Sequence, residues 1–119
     1  MKIDNKTTKP HIRVYFHDES VDITKIYPIT WGIEEEGIPY ETIGSKEEKA
    51  LELGYLGAEE SNLGVGIGIG KDGFIVLHYH KLKKNQPLFT IKLRNEDEIL
   101  RKLGANAARL VKGIPFKTI

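Results

Sequence analysis

The 119-residue chain contains no cysteine, which excludes disulfides, thiolate nucleophiles, cysteine-ligated zinc and iron–sulfur clusters. It also lacks an excess of charge of either sign. Eighteen Lys and Arg stand against seventeen Asp and Glu, for a net charge of +1. No basic block is long enough to track a phosphate backbone, so nucleic acid is not an expected partner. No run approaches the roughly 18 apolar residues of a membrane span, and the N-terminal "MKIDNKTTKP" has no signal-peptide core. A soluble, cytoplasmic chain is therefore expected. What remains, 39% hydrophobic and 29% charged residues, suits one globular domain, which at this length buries roughly two-thirds of its unfolded surface.

Residues 1–10 are polar and read as a flexible N-terminal arm, followed by one α/β domain over 11–119. "HIRVYF" (11–16) has the β-branched and aromatic character of a strand. Pro28 fits the first turn of a helix that runs to Glu36 and stops at Gly37. "IPYETI" (38–43) reads as a second strand, and Ser45 with Glu48 as a capping box. Behind that cap, Ala50, Leu51, Gly54, Tyr55 and Ala58 form the stripe of a sheet-packed helix. Three strands follow at 63–70, 73–80 and 87–93, the first two joined by the tight turn "KDG". The last helix has Asn95 and Glu98 as its capping pair and Ile99, Leu100, Leu103, Ala107, Leu110 and Val111 on one face. Two helix ends share one device, "GIPY" at 37–40 and "GIPF" at 113–116. Glycine takes the left-handed position, isoleucine closes over the last turn and proline forbids continuation. The order β-α-β-α-β-β-β-α predicts a three-layer α/β/α fold with a mixed five-stranded sheet containing one hairpin.

Two constellations invite a small-ligand site. The glycine run "GVGIGIG" lacks the third fingerprint glycine and precedes a hairpin instead of a helix, so clearance of a strand face for a packed helix is the better reading. "HYH" sets His78 and His80 on one side of a strand, but two ligands are too few for a metal without a third group. An enzyme or ligand-binding protein using these residues stays open as an alternative.

The run "WGIEEEGIPY" (31–40) poses a different question. Three carboxylates sit at the end of a helix whose dipole is already negative, where an exposed carboxylate costs about 0.3–1 kcal/mol. At about 100° per residue, Ile29 and Ile33 define the buried side and Glu35 projects roughly 140° from it. Glu34 lies near Glu35, and Glu36 turns back toward the core edge. Trp31 falls on the outward stripe with Pro28. In the last helix an outer stripe of Arg101, Ala105, Ala108 and Lys112, with Gly104 alongside, would let another backbone approach closely. Two outward faces and no nucleophile–base pair favour an interaction protein over an enzyme.

With "GIEEEGIPY", "NAARLVKGIPF" and the middle segment "VGIGIGKDGFIVLHYHKL" and "QPLFTIKL", the chain resembles the small (β) subunit of the diol/glycerol dehydratase-reactivating factor. The likeness covers most of the chain from Trp31 to Phe116. It departs from the family pattern at Pro28, Trp31, Ala105 and the basic "HKLKKNQP". The resemblance implies a non-catalytic subunit of a chaperone for cobalamin-dependent dehydratases, paired in a heterotetramer with a large ATPase subunit. That subunit binds ADP or ATP with Mg2+, and exchanges its small subunit for the inactivated dehydratase so that damaged cobalamin leaves. The resemblance also implies that Glu35 reaches the magnesium at the large subunit's nucleotide site, within a partner interface of Trp31, Glu34, Glu35, Arg101, Ala105, Ala108 and Lys112. A divergent medium subunit of the dehydratase itself is the nearest alternative. Glycerol or propanediol as the client's substrate, and association with a bacterial microcompartment, stay open.

Overall fold

The computed structural model describes residues 9–119; residues 1–8 of the expected arm lie outside the described residues. Five strands, β1 (Ile12–His17), β2 (Tyr40–Ser45), β3 (Val65–Ile69), β4 (Phe74–Tyr79) and β5 (Phe89–Lys92), form one open sheet in the order β2-β1-β3-β4-β5. β1 pairs in parallel with β2 and β3, whereas β3, β4 and β5 pair antiparallel in succession. Three helices cover the sheet: α1 (Tyr27–Glu35), α2 (Ala50–Glu60) and α3 (Asp97–Lys112), with a 3-10 turn at Ile23–Lys25 before α1. The chain steps from β1 through α1 to β2 in one direction, then back across β1 through α2 to β3. Right-handed crossovers that step in opposite directions place their helices on opposite faces. α2 accordingly covers one face, and α1 and α3 the other, as the three-layer reading expects.

Strand periodicity assigns the faces. Ile12 and Val14 of β1, Val65, Ile67 and Ile69 of β3, and Ile75 and Leu77 of β4 form one core with Ile29, Ile33, Leu100 and Leu103. The alternate residues of β3 are Gly66 and Gly68, and the backbone of α2 lies directly on them. A Cβ at Gly66 would overlap the amide of Ala58, and one at Gly68 the amide of Gly54. Side chains on that strand face would lift α2 off the sheet.

The helix starts differ from expectation. Ser45 accepts a hydrogen bond from the Glu47 amide (3.1 Å), and Glu47 accepts those of Glu48 and Lys49. α2 begins only at Ala50, whose amide is met at 3.3 Å by Asp72 from the β3–β4 turn. α3 likewise starts beyond Asn95, which donates to the Lys92 carbonyl, with Glu96 as an N-cap that makes no side-chain bond. The two stops behave as read, since Gly37 and Gly113 adopt φ of 78° and 71° and the Ile114 amide closes onto the Arg109 carbonyl at 3.2 Å.

Candidate partner interface

α1 and α3 lie side by side in parallel, and two glycines make this possible. A Cβ at Gly32 would stand 2.8 Å from the amide nitrogen of Ala105 and overlap the Arg101 carbonyl oxygen. One at Gly104 would stand 2.8 Å from the carbonyl carbon of Ile29. Parallel packing brings the negative dipole ends of both helices together, so cations are needed there. They come from the last turn of α3. Arg109 Nε donates to Glu36 at 3.1 Å, while Lys112 Nζ donates to the Glu36 carboxylate at 2.7 Å and to its main-chain carbonyl at 2.9 Å. The Lys112 ammonium, with Arg109 beside it, holds the Glu36 carboxyl below its usual range against the opposing effect of burial.

This arrangement sorts the three glutamates. Glu36 belongs to the helix–helix joint. Glu34 accepts a hydrogen bond from the Tyr40 hydroxyl, whose pKa rises chiefly through that bond. Glu35 faces outward, its side chain 53% exposed, and among the described residues its one ionic neighbour is Arg101 Nε at 3.6 Å. That separation is too long for a hydrogen bond. Arg101 also lies over the ring of Trp31, 5.8 Å from its centroid, and Trp31 is 44% exposed.

Trp31, Glu34, Glu35 and Arg101 thus share one surface, but other expected members do not. Ala105 and Ala108 are fully buried. The helical wheel put them outside because it gave α3 one packing partner, whereas α3 has the sheet on one side and α1 on the other. Their small side chains serve contact within the chain. Pro28 is buried as well, and Lys112 is engaged with Glu36. The wheel also passed over Tyr27 and Ile23, each 43% exposed. Tyr27 packs at a tilt near Trp31, ring centroids 6.4 Å apart. With Thr30, Tyr40 and Thr42 these residues line a cleft of about 360 Å³. The aromatic pair at spacing i, i+4 in "YPITW" was the available signal.

The rival ligand site is closed off. His78 is fully buried; its Nδ1 accepts the Tyr79 amide at 3.0 Å and its Nε2 donates to the Lys84 carbonyl at 2.9 Å. Both ring nitrogens are committed, and His80 lies beyond the end of β4 on an exposed turn. Among the described residues no three His, Asp or Glu side chains cluster as metal ligands. No helix is long and apolar enough to cross a membrane among the described residues.

This open α/β domain is of the dehydratase medium-subunit type, since the family model described as dehydratase medium subunit matches residues 9–117. Within it, the chain belongs to the small subunits of the diol and glycerol dehydratase-reactivating factors. It is 36% identical over 115 residues to the propanediol dehydratase-reactivating factor small subunit of Citrobacter freundii, covering 97% of each chain. It is 40% identical over 88 residues to the diol dehydratase-reactivating factor small subunit of Klebsiella michiganensis, covering 74% of this chain and 70% of that one. A solved glycerol dehydratase reactivase superimposes with a TM-score of 0.89 at 37% identity, covering 92% of this chain and 98% of its own. A diol dehydratase-reactivating factor complexed with ADP and Mg2+ matches with a TM-score of 0.85 at 34% identity, covering 93% and 100%.

Proposed function

We propose that this chain is the detachable small subunit of a reactivating factor. It would pair with a large ATPase subunit in a heterotetramer and give way to an inactivated diol or glycerol dehydratase, so that damaged cobalamin is released. The observation that carries the reading is the unequal commitment of the three glutamates. Glu34 and Glu36 are held by hydrogen bonds within the chain, whereas Glu35 has, among the described residues, only an exposed ionic neighbour. An exposed pair of that kind contributes about 0–1 kcal/mol, so a metal ion can displace Arg101 at small cost.

One outward carboxylate fits a shared Mg2+, because that ion takes one or two carboxylates and completes its octahedron with water and phosphate oxygens. Glu35 would supply one oxygen, and the large subunit and its nucleotide the rest. Trp31 and Tyr27 would give the contact its apolar area, since aromatic anchors dominate interface energetics. The protein would work in the cytoplasm, with or without a microcompartment around its client.

The test is to mix the chain with a large reactivase subunit, ADP and Mg2+, and to measure mass by light scattering after size exclusion. A complex larger than either component, dispersed by adding the inactivated dehydratase, is expected. Failure to associate under any nucleotide condition would overturn the proposal. The family model's description favours a second reading, a dehydratase medium subunit. Stable association with the dehydratase's catalytic subunit in an active enzyme would identify it.

A further inference from the structure

A second surface, remote in role from the docking face, gathers cations at one end of the sheet. Two successive antiparallel pairings make β5 run in the same direction as β1 and β3, so the carboxyl ends of these three strands lie together. At the β5 end of this edge, between the β3–β4 turn, the end of β5 and the start of α3, a cleft of about 520 Å³ opens, within the roughly 300–1,000 Å³ usual for small-molecule sites. Lys25 reaches this cleft from the segment after β1, and Lys92 and Arg94 from the end of β5. None of the three is paired with a carboxylate among the described residues, although cations elsewhere, such as Arg13, Lys84 and Lys112, are.

The remaining walls limit the ligand. Asp72 lines the cleft, but its carboxylate oxygens accept the amides of Phe74 (3.2 Å) and Ala50 (3.3 Å). Asp97, at the start of α3, adds an opposing negative charge. α3 is 16 residues long and its N-cap makes no side-chain hydrogen bond. The Ile99 amide donates to the Glu96 carbonyl, which leaves those of Asp97 and Glu98 as the first-turn donors, against the charge of the Asp97 and Glu98 carboxylates. Leu93 and Leu100 supply an apolar wall. We propose that this cleft binds a small organic phosphate, its phosphate held by Lys25, Lys92 and Arg94 and its organic part set against Leu93 and Leu100. Donors drawn from two segments, the turn before α1 and the end of β5, suit a tetrahedral dianion better than a flat carboxylate, which one arginine can satisfy.

The test uses the full chain, labelled with nitrogen-15 and titrated at constant ionic strength with inorganic phosphate and with phenyl phosphate. Saturable shifts confined to the amides of residues such as Gly73, Arg94, Asn95 and Asp97 are expected, with phenyl phosphate bound about tenfold more tightly. Changing Lys92→Gln and Arg94→Gln together should weaken binding about tenfold or more, and Asp97→Asn should tighten it about threefold. Opposite effects from two changes on one cleft cannot both arise from misfolding. The proposal is overturned if nothing saturates by about 20 mM, if shifts spread over lysines elsewhere, or if the double change leaves affinity unaltered. Equal affinity for the two phosphates would overturn the organic part of the assignment.

Discussion

Gly32 of α1 and Gly104 of α3 are the two points at which one helix backbone rests on the other, each lying against the partner helix's main-chain carbonyl. Neither neighbour is a side chain that can swing aside, so the joint has no soft element. Gly32→Ala or Gly104→Ala should force the helices apart and cost about 1–3 kcal/mol, the usual range for overpacking. For a domain of this size the melting temperature should fall by about 5–15 °C. Thermal unfolding followed by circular dichroism checks this, and an unchanged melting temperature would contradict the close approach.

At the end of the same joint, Glu36 bridges Arg109 and Lys112. Its carboxyl titrates below the ordinary value of 4.5. A depressed carboxylate contributes stability that is complete above its unfolded value and is lost as pH falls through the folded one. Glu36→Gln should therefore lower urea stability near neutral pH by about 1 kcal/mol. The gap between the two proteins should hold constant down to about pH 5.5 and narrow below 4.5. Urea unfolding at several pH values is the measurement, and a gap independent of pH would show that the pair contributes nothing.

Asn106 ties down the C-terminal segment. It is fully buried in α3, donates to the Lys117 carbonyl at 3.0 Å and accepts the Lys117 amide. Arg109 adds a bond to the Pro115 carbonyl at 3.0 Å, and Phe116 meets Phe89 edge to face at 5.4 Å. Asn106→Ala should release this segment, with loss of hydrogen-exchange protection at the Lys117 amide and a stability cost of about 1–3 kcal/mol. Exchange at Lys117 that stays as slow as in the parent would refute the clasp.

Local chemistry and long-range packing were legible to different degrees. The left-handed stops at Gly37 and Gly113 rest on a few neighbouring residues, and the cleared face at Gly66 and Gly68 on strand periodicity, so both could be read directly. The start of α2 could not, because the group that caps Ala50 is Asp72, twenty-two residues away. Ala105 and Ala108 misled for a related reason. Alanine is weakly apolar, and only the presence of α1 on the far side of α3 turns a small-residue stripe into a buried seam. The helical wheel turned Glu35 outward and Glu36 toward the core edge, but the partners that hold Glu36, Arg109 and Lys112, lie more than seventy positions away.

That distinction yields the most discriminating prediction. Glu35 and Glu36 are adjacent, carry the same charge and end the same helix, yet Glu36 is a joint and Glu35 an exposed carboxylate beside Arg101. Glu35→Gln removes only an exposed contact with Arg101, so stability should change by less than about 0.5 kcal/mol. If Glu35 completes a metal shared with the large subunit, the same change should weaken assembly about tenfold or more in ADP and Mg2+, and much less in EDTA. Glu36→Gln should show the reverse, lower stability with assembly nearly intact at temperatures where it stays folded. Paired measurements of unfolding and of complex formation by light scattering separate the two residues. Equal assembly by the parent and Glu35→Gln would remove Glu35 from the metal, while the acid dependence carried by Glu36 would still stand.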